Sequence, residues 1–334
     1  MDYIEFAEQV LDLASRVSEQ AEVFALHSQE TPVSFEANRL KRVETKETQG
    51  VALRLVKDGR IGFASTTRLD DPQALVEHAL TVAPFGAKAR FQFPEATPAN
   101  DVPIYDPQVA AWPVEGMVEV GQRMIDRVRA ENSDVLCEVE LYKEVSRVHV
   151  RNSRGGEVSY HQTEVSAMLD VNLVRGTDIL DIYEGVASVR LDVDYDELVR
   201  TVLEKLRLSE RIVPIRTGPM PVIFTPKGLV ITLGPALEPA FNGRLVLEGA
   251  SPLAGKLGEA MLDERLYIYD DGRLPWAIGS APCDDEGVPT RRTPLVEGGV
   301  IRGFYYDLQT AGLAGVESTG NGGRSLGNLS LIHI

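Results

Sequence analysis

A proline-rich stretch near residue 100 is the feature that most constrains how this 334-residue chain can fold. Five prolines fall there among alanine, asparagine and aspartate residues: Pro94, Pro98, Pro103, Pro107 and Pro113. Because proline lacks a backbone N–H and fixes φ, this composition is typical of an extended connector. The sequence therefore predicts an N-terminal α/β domain over residues 1–93 and a connector over residues 94–113.

The domain before the connector carries both helical and strand patterns. Asp2 stands ahead of apolar residues at helical spacing, which predicts an amphipathic helix over residues 2–20. Two apolar runs over residues 51–64 flank the pair Asp58-Gly59. This arrangement predicts a β-hairpin with a tight turn at that pair.

The sequence after the connector changes character twice. A helix over residues 114–131 and the β-rich sequence behind it predict a central α+β domain over residues 114–212. Further on, residues 221–224 predict a strand and Thr225-Pro226 predicts the start of a helix. We therefore expect an α+β fold, in which a mixed helix and sheet N-terminal part precedes a β-rich C-terminal domain over residues 213–334.

Charge and cysteine content exclude several classes of protein. The chain has 50 acidic and 34 basic residues and a net charge of −16, which argues against a nucleic-acid partner. Its two cysteines, Cys137 and Cys283, are far apart, as is typical of a reducing compartment. No apolar run approaches the ~18 residues that would span a bilayer. We expect a cytoplasmic protein without a membrane partner.

Few residues suggest catalysis. None of the five histidines lies in a zinc-binding helical pair, and neither a Gly-x-Ser-x-Gly nor a Ser-x-x-Lys motif occurs. Seven carboxylates are concentrated in 24 residues: Asp263, Glu264, Asp270, Asp271, Asp284, Asp285 and Glu286. They could bind a hard cation, but we favour their interpretation as turn and strand-end residues. Arg291 and Arg292 could hold a peptide carboxylate, although structural ion pairing is the favoured interpretation.

Three ordered motifs carry a resemblance to a known family. Residues 283–293 read C-D-D-E-G-V-P-T-R-R-T, and residues 251–259 and Ser318-Thr319-Gly320-Asn321 with Arg324 flank them. Together they resemble the signature of the TldD/PmbA family. The resemblance implies a bacterial or archaeal cytosolic metallopeptidase system, once described as a modulator of DNA gyrase. Such systems cleave unstructured peptides and help to mature peptide antibiotics.

The family has two branches, and one helix distinguishes them. In the TldD branch this helix carries His-Glu-x-x-x-His, whose histidines hold zinc together with a later cysteine while the glutamate activates water. The comparable residues here, 225–236, contain neither histidine nor glutamate. The chain therefore resembles the PmbA (TldE) branch. This implies no zinc, no other cofactor and no catalytic residue in this chain, with zinc expected in a TldD-like partner subunit.

Three functional hypotheses follow. In the first, the chain is one subunit of a two-chain metallopeptidase, paired with a zinc-bearing paralogue or with itself, and shapes the chamber that receives unstructured peptides. In the second, it is a non-enzymatic regulator or adaptor. In the third, it is a self-sufficient peptidase that uses the carboxylates and a metal. The candidate substrate or interface residues are Asp284, Asp285, Glu286, Gly287, Arg291, Arg292, Thr319, Gly320 and Asn321.

The last residues depart from the family pattern. Family members continue past the Thr-Gly-Asn motif, whereas about the last six residues here resemble translated cloning or adapter sequence. We therefore expect an incomplete last domain. A sheet cut in this way would expose a strand edge and apolar surface, which predicts a tendency to aggregate.

Overall fold

The computed structural model describes residues 2–96 and 98–324. Its helices are α1 (Tyr3–Val17), α2 (Pro72–Val82), α3 (Pro107–Ala111), α4 (Val114–Glu131), α5 (Tyr195–Leu208), α6 (Pro226–Ala240), α7 (Gly243–Leu247) and α8 (Leu308–Ala314). Its strands are β1 (Gln20–Glu36), β2 (Arg39–Val43), β3 (Lys46–Lys57), β4 (Arg60–Thr66), β5 (Leu136–Asn152), β6 (Glu157–Arg175), β7 (Asp178–Ser188), β8 (Ile268–Asp271), β9 (Arg292–Glu297) and β10 (Val300–Ile301). The α+β prediction is confirmed. About the last six residues, where we expected foreign sequence, lie outside the described residues.

One antiparallel sheet joins the parts of the chain on either side of the connector. Its strand order is β4-β3-β1-β5-β6-β7, with β2 paired to β1. The central pair is β1 with β5, in register from Glu22 opposite Asn152 to Phe35 opposite Val139. The hairpin predicted at Asp58-Gly59 is confirmed, since β3 and β4 pair across it. The domain boundaries at 93, 113 and 212 stay predictions, but residues 20–66 and 136–188 share this sheet.

The two faces of the sheet have different neighbours. Odd-numbered residues of β1, such as Val23 and Val33, pack beneath α1, α2, α4 and α5. Even-numbered residues point the other way because side chains alternate along a strand. The resulting second face carries a smaller apolar cluster that includes Phe24, Val148 and Val150. Residues 278–281 and Gly287 lie against this second face.

Residues 209–324 include a small sheet among helices and turns. Strands β8, β9 and β10 pair antiparallel, and their core includes Phe241 and Leu295. The strand predicted over residues 221–224 is wrong, since these residues belong to no strand or helix. No described strand pairs with them, and an apolar pattern forms a strand only where a neighbour supplies the hydrogen-bond ladder.

Helix α6 begins where the sequence predicts. The Thr225 side chain accepts a hydrogen bond from the backbone N–H of Gly228, and Pro226 occupies the first helical position. The helix continues through two internal prolines, Pro235 and Pro239. Across the described ranges, 2–96 and 98–324, no helix has both the length and the apolar character needed to cross a membrane.

Candidate functional site

The consecutive acids Asp284, Asp285 and Glu286 form a tight loop on the second face of the sheet. One carboxylate oxygen of Asp284 accepts hydrogen bonds from the backbone N–H of Glu286 at 3.0 Å and of Val288 at 2.9 Å. The other oxygen accepts one from the N–H of Gly322 at 2.8 Å. Burial, and then the charge of Glu286, raises the pKa of Asp284 well above its usual value. Asp284 therefore ties two of the sequence motifs together rather than facing solvent.

Glu286 belongs to a buried cluster of two cations and two anions. Its Oε1 lies 2.6 Å from Nη1 of Arg54 and 3.1 Å from Nη2 of Arg324. Glu22 on β1 completes the set, with its Oε1 at 2.7 Å from Arg324 and 3.3 Å from Arg54. None of the four side chains is more than 5% exposed. Four segments that are far apart in sequence thus meet at one buried ionic cluster.

The protonation of this buried ionic cluster follows from its contacts. Burial raises the pKa of both glutamates, but the two arginines outweigh it at Glu286, whose pKa is lowered. Glu286 also accepts a hydrogen bond from the N–H of Leu308 at 2.6 Å. At Glu22 burial prevails and the pKa is raised. Burial opposes the charge of Arg54, but both carboxylates raise its pKa further above the usual value, so it stays cationic.

Two aromatic rings complete the surroundings of Arg54. Its Cζ lies 4.6 Å from the ring centroid of Phe91 and 4.8 Å from that of Phe93. Cation–π contacts of this kind favour a guanidinium that is withdrawn from water. The chain just before the connector therefore packs on the same cluster as the acidic loop.

Arg291 and Arg292 lie at the edge of the small sheet and contact other groups. Arg291 donates a hydrogen bond to the carbonyl of Ser318 and lies 3.7 Å from the Glu317 carboxylate. Arg292 places its guanidinium 4.0 Å from the ring centroid of Tyr269. These contacts agree with the structural interpretation of the pair. Both side chains are partly exposed, so substrate or partner contact stays a prediction.

The Thr-Gly-Asn motif folds back on the small sheet. The hydroxyl of Thr319 accepts a hydrogen bond from the N–H of Tyr306 at 2.7 Å. Asn321 donates one to Asp270 at 3.0 Å. Gly320 has a φ of +74° and packs against the backbone of Pro289. Gly287 also has a positive φ, +73°, at the acidic loop. Both glycines therefore serve tight turns, which a side chain would strain.

Two of the seven clustered carboxylates form local ion pairs, and Glu286 belongs to the buried ionic cluster. Asp263 pairs with Arg265 at 2.8 Å, and Asp271 pairs with Arg273 at 3.1 Å. Each of these aspartates also accepts a hydrogen bond from the backbone N–H of its arginine, in agreement with the turn interpretation. In the part of the chain that the structure describes, no group of three or more His, Cys, Asp or Glu residues could hold a metal ion.

The residues of α6 do not fit a catalytic zinc ion. A catalytic zinc needs three protein ligands and an open position. Helix α6 contains no histidine and no cysteine, and Glu238 near its C-terminus is its one carboxylate. No histidine occurs between residues 162 and 332. No hydrolytic step through zinc can therefore be assigned to this chain's own residues.

Beside the acidic loop lies a cavity of about 460 Å³ between the second face of the sheet and residues 278–281. Three carboxylates line it: Asp285, Glu144 of β5 and Glu164 of β6. Sequence reasoning identified Asp285 but missed both glutamates. The available signal was the alternation along β5, where Glu144 and Ser146 are polar positions on the face that carries Val148 and Val150.

Asp285 gives a prediction about pH. Burial raises its pKa from 3.8 to about 6. Because the folded state binds this proton more tightly than the unfolded chain, the contribution of Asp285 to stability is full below about pH 4 and is lost as the pH rises through about 6. In the parent chain, titration of Asp285 should lower the free energy of unfolding as the pH rises from about 4 to 6. We expect Asp285→Asn to lack this decrease when urea denaturation is measured across the same pH range.

The matched control for this measurement is Asp263→Asn. Hydrogen bonds from Arg265 lower the pKa of Asp263 to about 2, so its titration lies below the range tested. The control should therefore keep the slope of the parent chain between about pH 4 and 6. An Asp285→Asn chain with that same slope would contradict the assignment.

Comparison with known proteins agrees with this architecture. The model of the PmbA/TldA metallopeptidase C-terminal domain matches residues 217–334, and that of PmbA/TldA metallopeptidase domain 1 matches residues 21–83. An uncharacterized protein of Methanocaldococcus jannaschii is 26% identical over 97% of this chain and 76% of its own length. The metalloprotease PmbA of Escherichia coli O157:H7 is 26% identical over 94% of this chain and 71% of its own length.

A solved structure has the same fold. The crystal structure of TldE from Thermococcus kodakarensis superposes with a TM-score of 0.86 at 24% identity, over 98% of this chain and 75% of that one. The two family models together match more than half of the chain. With the relatives aligned over nearly its whole length, they show that the chain belongs to the PmbA/TldD metallopeptidase family, in its PmbA/TldE branch.

Proposed function

We propose that this chain is the subunit without zinc in a two-chain metallopeptidase that cleaves unstructured peptides. It shapes the substrate chamber and binds a zinc-bearing TldD-like paralogue, which holds the metal. The observation that carries the proposal is helix α6, which has no histidine or cysteine in a chain whose family is a metallopeptidase family. The cellular setting of this proposal is the cytoplasm, and maturation of peptide antibiotics is one role of such a complex.

An exposed apolar surface supports the interface part of the proposal. On α6, Val230 is 68% and Ile231 is 61% exposed, and Ile223 just before the helix is 94% exposed. Large contiguous apolar patches on folded proteins mark interaction sites. The helix is attached to the large sheet through Lys227, which pairs with Glu184 of β7. The patch therefore lies next to β7, the last strand in the order of the large sheet.

Cleavage of an unstructured peptide tests the proposal directly. We expect the chain alone to be inactive, and the mixture with its zinc-bearing paralogue to cleave the peptide faster than the paralogue alone. A chelator should abolish the activity of the mixture. Chelator-sensitive cleavage by this chain alone would overturn the assignment. Binding to the paralogue without any change in cleavage would favour the alternative, a non-enzymatic adaptor.

A matched pair of variants tests the interface. Val230→Asp places a charge in the exposed patch on α6 and should weaken binding to the paralogue at least about tenfold, because burying an unpaired charge costs more than 1.4 kcal/mol. Val82→Asp at the end of α2 adds the same charge at a residue that is 44% exposed and lies outside the patch. It should leave binding unchanged. Equal affinities of the two variants, measured by calorimetry, would exclude α6 from the interface.

A further inference from the structure

A row of three glutamates crosses the second face of the large sheet. Strand register places Glu30 of β1 opposite Glu144 of β5, and Glu144 opposite Glu164 of β6. Directly opposite residues in an antiparallel sheet have Cβ atoms about 5 Å apart, and like charges in this position destabilise the sheet. A cation bound beside such a row would relieve this repulsion and stabilise the folded sheet.

The cations of this chain leave two of the three carboxylates uncompensated. Glu30 lies 3.7 Å from Lys46. Glu144 accepts hydrogen bonds from neutral groups, the Ser28 hydroxyl at 2.6 Å and the Tyr142 hydroxyl at 2.8 Å. Among residues 2–96 and 98–324, no ion pair of Glu144 or Glu164 is found. Burial, and to a smaller extent the neighbouring charge of Glu144, raises the pKa of Glu164.

A buried hydroxyl points to a ligand at the same place. Ser146 is 1% exposed, lines the cavity beside Glu144 and Glu164, and its Oγ has no hydrogen-bond partner. A polar group buried without a partner costs free energy that a ligand donor would recover. The row of glutamates and the unpartnered hydroxyl are independent observations, and both favour a ligand with N–H donors and positive charge.

The residues that line the cavity favour one class of cation. In the described residues no metal-holding group of side chains occurs, which favours an organic cation. Apolar residues Phe24, Leu26 and Val148 line the same cavity as the acids. An alkyl stem against apolar residues with a charged head at carboxylates is the way lysine and arginine side chains are buried. The volume of about 460 Å³ is in the usual range of small-ligand sites.

We propose that this cavity binds the basic side chain of a lysine or arginine residue in an extended peptide. The charged head donates to Glu144, Glu164 and the Ser146 hydroxyl, and the stem packs on Phe24 and Val148. This inference rests on the proposed function and names its substrate class, peptides with a basic residue. The buried ionic cluster also contributes to this cavity, because Arg324 of the cluster and the adjacent acidic-loop residue Asp285 form one wall of it.

Calorimetric titration of the full chain with two peptides tests the inference. The probes are acetyl-Ala-Ala-Lys-Ala-Ala-amide and its norleucine analogue, which has the same stem without the charge. We expect the lysine peptide to bind at least about tenfold tighter, since a charge-assisted hydrogen bond contributes about 1.5–3 kcal/mol. Glu164→Gln and Ser146→Ala should each reduce that ratio severalfold. Equal affinities for the two peptides would overturn the inference.

A control variant and a free amine separate the alternatives. Glu119→Gln removes the same charge from an exposed position on α4, across the sheet from the cavity, and should leave the ratio unchanged. An equal reduction in Glu119→Gln and Glu164→Gln would show a general charge effect and overturn the site. Binding of 1,4-diaminobutane without binding of the lysine peptide would overturn the peptide assignment. Because these titrations omit the paralogue, they can succeed when cleavage fails, and the reverse.

Discussion

Replacing Arg54 by alanine is expected to lower the free energy of unfolding by about 3–5 kcal/mol, since removal of one partner from a buried ion pair leaves an uncompensated charge. Arg54 contacts Glu22 and Glu286, and both carboxylates are 2% exposed or less. After the substitution, only Arg324 would remain to balance them. Urea denaturation near pH 7 measures the loss.

The matched control is Arg68→Ala. Arg68 also pairs with a carboxylate, that of Asp70 at 3.0 Å, but its side chain is 83% exposed. Exposed ion pairs contribute little because water screens them, so the control should change stability by less than about 1 kcal/mol. If Arg54→Ala loses no more than Arg68→Ala, the buried ionic cluster does not hold the acidic loop on the sheet.

The position of the acidic loop links stability to the two proposals. Glu286 is bound to the cluster, and the adjacent Asp285 lines the cavity. A change that frees Glu286 therefore also moves one wall of that cavity. For this reason Arg54→Ala should weaken binding of the lysine peptide as well as stability, although Arg54 itself does not line the cavity.

Local patterns predicted the elements of the first part of the chain with good accuracy. The helix predicted over residues 2–20 is α1, which ends at Val17; Phe6 and Val10 of its predicted apolar positions are buried, whereas Val17 is 40% exposed. These predictions succeed because periodicity and caps depend on residues a few positions apart. The register between strands, in contrast, could not be predicted from local patterns. Nothing local places Glu144 beside Glu164, which requires the pairing of β5 with β6.

The acidic motif shows the same limit in another form. Asp284, Asp285 and Glu286 were identified from the sequence, but Arg54, an ion-pair partner of Glu286, lies 232 positions away. One signal was present, because Arg54 interrupts the apolar run of residues 51–56. A charged residue inside a buried strand requires an opposite charge. The sequence could predict that a partner exists, while the fold decides which acid it is.

Gly312→Ala is the second substitution expected to have a large effect, and its sign depends on two opposing terms. Alanine in place of glycine inside a helix adds about 1 kcal/mol of stability. A Cβ built on Gly312 of α8, however, would overlap the backbone carbonyl of Arg90. Backbone cannot rotate away as a side chain can, and forced shifts of this kind cost about 1–3 kcal/mol or more. We therefore expect net destabilisation, and a larger loss with Gly312→Val.

Hydrogen bonds of α8 to residues 88–90 oppose a shift of the helix away from Arg90. Gln309, one turn earlier on α8, accepts a hydrogen bond from the N–H of Arg90 at 2.9 Å and donates one to the carbonyl of Lys88 at 2.9 Å. Separation of α8 from residues 88–90 would break both bonds. Leu313→Ala is the control, because this neighbour is 55% exposed and alanine keeps the helix. A Gly312→Ala chain that is more stable than the parent in urea would show that α8 does not dock on residues 88–90.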